Sequence, residues 1–448
     1  MKTLQQFPYQ QVLVLGLARS GEAAAQLLYD SHIPFKINDI TPFEENKIAQ
    51  HFESLGVEVI TGRHPLFVLE GVDLVVKNPG IPYKHELVNE AVKRDITVVT
   101  EVELAYYLVD GPIVAITGSN GKTTTTTLVH ELLRAGNLNP LIAGNIGKVA
   151  TQVVREQSNG QPVVMELSSF QLKAVEQFKP DIAVLLNITE AHLDYHETME
   201  DYVQSKLRIT ENQTDDDLLI YNHDDSVLTK SIQTSHAKSF PFSVSGSYKE
   251  GIYVDNGMIY NQGEFIIDTK DISLPGDHNL ENVLSSIVVA MEFNIPNETI
   301  IRVLKSFTGV KHRLQFVEQV YGRKIYNDSK ATNISATIKA INAFKEPIVL
   351  MVGGLDRGNE FDELIQNFRN VKYCVAYGQS AKKIQEACER QHYNALSMVE
   401  NVEQATIKAY ENSHSGDVLL FSPACASWDQ FKSFEERGDM FLELVHKL

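Results

Sequence analysis

Cysteine is scarce in this sequence: Cys374, Cys388 and Cys425 are its three, with no C-x-x-C pair among them. That is too few for a disulfide-stapled secreted scaffold and fits a reducing compartment. Basic residues are also in deficit, 40 Lys and Arg against 58 Asp and Glu, giving a formal charge of -18. Such a surface repels a nucleic-acid backbone, so no nucleic-acid partner is expected, whereas a small anionic substrate needs only a local concentration of amides and basic side chains. Long apolar runs are missing as well. The stretch Met1 to Gln11 is polar and passes directly into a strand, without the apolar segment of a signal peptide or membrane span. A cytoplasmic protein with no membrane insertion is expected. Neither internal repeats nor low-complexity tracts occur.

What is present supports large cores, since 43% of the 448 residues are hydrophobic and 22% charged. This length exceeds what one core serves and suggests about three domains. Residues 11–108 alternate short apolar strands and helices, the pattern of a parallel sheet. Strands are expected at Gln11–Leu15, Phe35–Asn38, Val57–Ile60, Leu74–Val76 and Thr97–Thr100, with a helix over Glu22–Tyr29. Gly16, Gly21 and Asp39 resemble a dinucleotide fingerprint in which Ala18 replaces the middle glycine. Two readings stay open here: a nucleotide-diphosphate ligand, or glycines that serve only the strand-to-helix turn. Asn78-Pro-Gly-Ile-Pro82 is a rigid turn at a strand end, and Asp110-Gly-Pro112 marks a boundary.

Next comes Ile113-Val-Ala-Ile-Thr-Gly-Ser-Asn-Gly-Lys-Thr-Thr124, a β-branched strand breaking into a glycine turn and then a threonine-rich helix. This arrangement wraps backbone N–H groups around a phosphate chain, with Lys122 reaching the terminal phosphates and Thr123 or Thr124 facing Mg²⁺. Ile116 stands where the usual loop has its first glycine, so the turn is shortened; a glycine turn capping an ordinary helix is the plainer alternative. Strands at Val163–Leu167 and Ile182–Ile188 end in Glu166-Leu-Ser-Ser-Phe-Gln171 and Asn187-Ile-Thr-Glu-Ala-His-Leu-Asp194. A helix from about Met199 carries Lys206, which by itself reads as a solvated helix lysine. Gly276-Asp-His-Asn-Leu-Glu-Asn282 opens an apolar helix, Val283–Met291. After Gly309, His312-Arg313, Asn327-Asp-Ser-Lys-Ala-Thr-Asn333, Gly353-Gly-Leu-Asp-Arg357 and Ser422-Pro-Ala-Cys-Ala-Ser-Trp428 close or follow further strands. That makes the third region another α/β domain with a face of its own.

In this order, the motifs from Gly118–Thr123 to His312–Arg313 resemble the Mur ligase family across essentially the whole chain. Asn327–Asn333, Ser422–Ser427 and Phe434 resemble its D-glutamate-adding branch. The resemblance implies an α/β protein of three domains: a Rossmann-like N-terminal domain (1–108), a central P-loop-type ATPase domain with a mostly parallel sheet (109–309) and a Rossmann-like C-terminal domain (310–448). It implies ATP-driven joining of D-glutamate to UDP-N-acetylmuramoyl-L-alanine through an acyl phosphate, two Mg²⁺ ions, a carbamylated Lys206 and a monomer.

The family's site residues map onto Lys122, Glu166, His192, Lys206 and Lys330 for catalysis, with Thr123, Glu166, His192 and Lys206 as metal ligands. ATP is implied at Gly118, Ser119, Asn120, Gly121, Lys122, Thr123, Thr124, Asn282, Arg313 and Asp328, the last accepting from ribose. The UDP part falls to Arg19, Ser20, Asp39, Thr41, Asn78 and Gly80, and the alanyl end to Asn145, Ser168 and Gln171. Lys330 and Thr332 look toward D-glutamate or the acyl phosphate; Arg357, Ser427 and Phe434 enclose the amino acid. Three positions depart from the family pattern. Arg19 replaces an aliphatic residue, Arg357 a lysine, and Trp428 a smaller apolar residue that either narrows the pocket or packs in the core. A sister Mur or folylpolyglutamate-type ligase with another amino acid and a non-catalytic nucleotide-binding regulator are the alternatives; the Asp-Asn-Pro-Arg of a diaminopimelate-adding relative is absent.

Overall fold

A computed structural model describes all residues except Ser247, Lys249, Pro275 and Asp277, together with every side chain other than those of Asp194 and His278. The Asp194 and His278 side chains and all of Asp277, members of two motifs above, therefore lie outside the described residues. Two compact units form, Met1–Ile272 with Asp277–Lys305, and Ser306–Leu448 with Ser273–Gly276.

The first unit begins with β1 (Val12–Leu15), β2 (Phe35–Asp39), β3 (Glu58–Thr61), β4 (Leu74–Lys77) and β5 (Thr97–Val99). They pair in parallel in the order β3-β2-β1-β4-β5. β1 and β4 are buried along their whole length because helices cover both sheet faces, which is why their sequences read as unbroken apolar runs. The first helix, Arg19–Asp30, starts three residues before the sequence suggested and puts Arg19 and Ser20 in its opening turn. A Cβ on Gly21 would run into the Gly16 carbonyl, so the glycine pair serves the tight strand-to-helix turn.

The same unit continues with β6 (Ile113–Thr117), β7 (Leu141–Gly144), β8 (Val163–Glu166), β9 (Ile182–Leu185), β10 (Leu218–Asn222), β11 (Lys238–Ser243), β12 (Ile252–Asp255), β13 (Met258–Asn261) and β14 (Glu264–Asp268). Their order is β14-β13-β12-β11-β10-β9-β6-β8-β7. Pairing is parallel from β7 to β12 and antiparallel through β13 and β14. A continuous apolar cluster from Leu4 to Ala237 joins this sheet to the first, so the loops at the two sheets' carboxyl ends are held by shared packing. Each fully buried Val or Leu in it contributes roughly 1.5–3 kcal/mol.

The second unit holds β15 (Gln315–Val320), β16 (Arg323–Asn327), β17 (Ile348–Gly353), β18 (Val371–Tyr377), β19 (Leu396–Val399) and β20 (Val418–Ala424), ordered β15-β16-β20-β17-β18-β19 with only β15 antiparallel. Separate apolar clusters cover its two faces. All three cysteines are buried and free. No helix among the described residues is long and apolar enough to cross a membrane.

Candidate active site

The turn after β6 opens the site. Thr123 to Thr127 are β-branched and weak helix formers, yet they start the helix Lys122–Ala135, because Thr123, Thr125 and Thr126 are buried against its neighbours. Gly121, with φ +83°, has no room for a Cβ: the amide oxygen of Asn282 occupies that space and accepts from Thr125 Oγ1 at 3.1 Å. Asn282 therefore braces the turn from beneath. Asn187 braces it from the side, its carbonyl accepting from the Ser119 N–H and its side-chain oxygen from the Asn120 N–H, each at 2.8 Å, while its amide donates to Glu281. Lys122 Nζ donates to the carbonyls of Gly118 (2.7 Å) and Ser119 (3.0 Å).

Lys206 arrives at the same carbonyl from the helix Met199–Leu207, donating to Gly118 O at 2.8 Å and lying 4.8 Å from the Tyr202 ring centre. It is 1% exposed, so the sequence reading of a solvated lysine is wrong. Helical periodicity could place Lys206 on a face but could not say what covers that face. Burial, and then the charge of Lys122, hold its amine well below the ordinary lysine pKa against the pull of Glu166. Glu166, last residue of β8, is buried. Its Oε1 accepts from Asn145 Nδ2 at 2.8 Å, and its Oε2 has no hydrogen-bond partner. An orphaned, buried carboxylate oxygen suits a hard divalent cation. Among the described residues no three His, Cys, Asp or Glu side chains gather as a ready-made metal cluster.

His192 is not at a strand end. It sits beyond β9, with φ +57°, at the start of the short helix Leu193–His196, and its ring meets Phe170 edge-on at 4.9 Å. Phe170 in turn stacks on His196, whose ring is fixed by Ser169 Oγ (2.9 Å) and Asp201 (3.0 Å). Ser168 and Gln171 are joined in a capping box that starts the helix Ser169–Leu172, so both orient that loop.

The N-terminal loops assemble around Asp39, which accepts from the Leu17 and Thr41 N–H groups at 2.7 and 2.8 Å, and around Asn78, which bonds Ser20 Oγ (3.1 Å) and the Gly80 N–H (3.1 Å). Arg19 is exposed at the helix start. Sequence reading missed Lys77. Buried at the end of β4, its Nζ donates to Ile81 O (2.9 Å), Pro79 O (3.3 Å) and Tyr195 Oη (3.1 Å), tying the Asn78–Pro82 turn to the turn that carries His192. Burial, with Lys173 adding repulsion, pulls its pKa down to about 7. Between that value and the ordinary 10.5 the unfolded chain binds more protons, so Lys77 makes stability rise with pH across this window. Lys77→Met should flatten that rise, which approaches about 1.4 kcal/mol per pH unit at its steepest. Urea titrations from pH 6 to 10 check this, and equal slopes in both proteins would refute it.

In the second unit, Asp328 is buried with both oxygens engaged, Oδ1 by the Leu314 N–H (3.1 Å) and Oδ2 by Ser422 Oγ (2.7 Å), and burial raises its pKa to about 7. Arg313, next to Leu314 in sequence, is exposed, and the Lys330 ammonium lies 5.9 Å from the Phe434 ring centre. Thr332 is half-buried and Ser427 buried. Trp428 is 64% exposed, which rules out core packing, and the Arg357 guanidinium covers its ring at 4.7 Å.

Residues 10–100 match the Mur ligase MurD-like N-terminal domain, 116–290 the Mur ligase middle domain and 312–425 the Mur ligase glutamate ligase domain. The UDP-N-acetylmuramoylalanine--D-glutamate ligase of Geobacillus sp. (strain WCH70) is 51% identical, covering 100% of both chains; that of Bacillus subtilis (strain 168) is 50% identical over 98% of each. Among solved structures, the UDP-N-acetylmuramate-alanine ligase of Thermotoga maritima aligns over 98% of this chain and 99% of its own, with TM-score 0.55 at 18% identity. The MurF ligase of the same organism, in complex with ADP, aligns over 92% and 95%, with TM-score 0.54 at 17% identity. Those two likenesses show the fold. With all three domain matches falling in order and half of the residues identical end to end, the chain belongs to the Mur ligase family.

Proposed function

We infer that this protein joins D-glutamate to UDP-N-acetylmuramoyl-L-alanine at the expense of ATP, in the cytoplasm and as a monomer. The observation that carries the chemistry is the meeting of Lys122 and Lys206 on the Gly118 carbonyl beside the unpartnered oxygen of Glu166. Joining a carboxylate to an amine through an acyl phosphate requires two anions, the alanyl carboxylate and the γ-phosphate, to come together. The phosphate loop amides and Lys122 draw the phosphates in, and Asn145, Ser168 and Gln171 orient the alanyl end with neutral donors. Asn282, Arg313 and Asp328 serve the nucleotide, Arg19, Ser20, Asp39, Thr41, Asn78 and Gly80 the UDP part.

Glu166, His192 and Thr123, with Lys206 as a carbamate, are the groups that would hold Mg²⁺, which when bound supplies positive charge between the two reacting anions. Lys206 suits carbamate formation because its burial favours the neutral amine that adds CO₂, and the product turns a repelled cation into an oxygen ligand. After phosphoryl transfer the amine of D-glutamate attacks the acyl phosphate and phosphate leaves. Lys330, Thr332, Arg357, Ser427 and Phe434 present that amine and pair its two carboxylates.

The relatives that share half of this sequence carry D-glutamate in their names, which supports that amino acid over those of the sister ligases. The test is a substrate panel with ATP, Mg²⁺ and UDP-N-acetylmuramoyl-L-alanine, with product read by mass. D-Glutamate should be favoured by about a hundredfold over L-glutamate and D-aspartate, because inversion or shortening strands a carboxylate without its donor. Comparable turnover of L-glutamate or of a basic amino acid would overturn D-glutamate and leave the ligase reading standing; no turnover with any amino acid would overturn the ligase reading itself.

A further inference from the structure

Arg437 is absent from every motif considered so far, yet it is wholly buried, one turn into the helix Phe434–Val445. A guanidinium taken out of water is costly unless its donors are met, and it is usually answered by a carboxylate. Here its donors are met by neutral oxygens: Nε donates to Ser329 Oγ at 3.1 Å, Nη2 to Ser329 O at 2.8 Å and Nη1 to Cys425 O at 3.0 Å. No ion pair to Arg437 occurs among the described residues; the nearby Asp429 contributes only a longer-range attraction and instead accepts from the Gln379 N–H at 3.4 Å.

These contacts reach each segment that carries a proposed amino-acid residue. Ser329 precedes Lys330 and Thr332, and its hydroxyl passes the chain on by donating to Phe434 O at 2.8 Å. Cys425 precedes Ser427. The backbone of Gly354, with φ +141°, lies so near that a Cβ there would come 3.1 Å from Nη1, and this loop leads to Arg357. One fork thus spans the ends of β16 and β20 and touches the loop after β17. Among the described residues no carboxylate pairs with its charge, and Asp429 attracts it only at longer range.

Resting on the reading of this unit as the amino-acid site, we propose that Arg437 is its positioning residue: the buried fork fixes the loops bearing Lys330, Thr332, Ser427 and Phe434, and its unanswered charge draws in the carboxylates of the incoming amino acid. A residue that merely stabilised the unit would alter all substrates alike when changed. Arg437 should separate them.

The experiment measures KM for D-glutamate, ATP and UDP-N-acetylmuramoyl-L-alanine in full-length wild type, Arg437→Lys, Arg437→Met and Ser329→Ala, with thermal unfolding as a check on folding. Lysine keeps the charge but loses the planar fork, so KM for D-glutamate should rise about tenfold in Arg437→Lys, and by about a hundredfold in Arg437→Met. Ser329→Ala, which removes one contact, should raise it by roughly threefold, with the other two KM values within about twofold of wild type in every variant. If Arg437→Met does not fold, Arg437→Lys and Ser329→Ala decide the matter. Folded variants with an unchanged KM for D-glutamate, or with all three values shifted together, overturn the proposal. A wild-type protein that ignores D-glutamate but uses another amino acid overturns the substrate reading instead, and the same comparison is then made with that amino acid.

Discussion

Lys122→Ala is expected to bring phosphate release below a tenth of wild type, with losses of about a hundredfold or more typical when a main donor to developing charge is removed. The ammonium sits at the N-terminal end of a helix that starts at Lys122 itself, where backbone N–H groups already favour anions. The Gly118 and Ser119 carbonyls that it reaches belong to the turn, and Lys122 is half-buried, so alanine removes a point charge at the loop. The fold should therefore persist, and the loss should appear in turnover with both substrates saturating. Retention of more than a tenth of the activity would dismiss the phosphate-loop assignment. Because the Lys122 charge also depresses the Lys206 amine, this variant should let Lys206 hold its proton to higher pH.

Lys206→Ala should be nearly inactive for a different reason. An unmodified ammonium at this position would repel both Lys122 and any cation held by Glu166, whereas a carbamate would attract them. Alanine leaves a buried space beneath Tyr202 and Gly118, and bicarbonate or a short carboxylic acid supplied in solution should restore part of the rate by putting oxygens back there. Mass spectrometry under CO₂ and a crystal structure read the modification apart from turnover. Absence of added density on the amine, together with no chemical rescue, would count against the carbamate while leaving Lys206 as a buried partner of the loop.

Most strands that build the first sheet could be read from sequence because covered parallel strands are short apolar runs ended by turn residues, as at Val12–Leu15 and Leu74–Lys77. The outer part of the central sheet, Lys238 to Asp268, is not legible in the sequence: β11, β13 and β14 are partly exposed and mixed in composition, and the Asn256-Gly257 turn between β12 and β13 is the local signal that could have marked it. The helices Arg19–Asp30 and His278–Glu292 start before Glu22 and Val283, where the apolar period begins, since their opening residues are polar and carry no such period.

Residue type and spacing alone determined the strand–turn–helix from Ile113 to Ala135, the strand-end Glu166 and the choice of family, because those features depend on local backbone geometry and on motif order. Which groups meet in space was decided by tertiary structure. Sequence placed Lys206 on a helix, but only packing against Tyr202 and Gly118 buried it and moved its amine toward the neutral form. Asp328 and Asn282 look like free polar ligands in a motif, whereas the fold turns Asp328 onto Leu314 and Ser422 and Asn282 onto Thr125. Lys77 and Arg437 carry no motif at all; their importance comes from desolvation, and how much water a side chain loses is settled by segments far away in the chain.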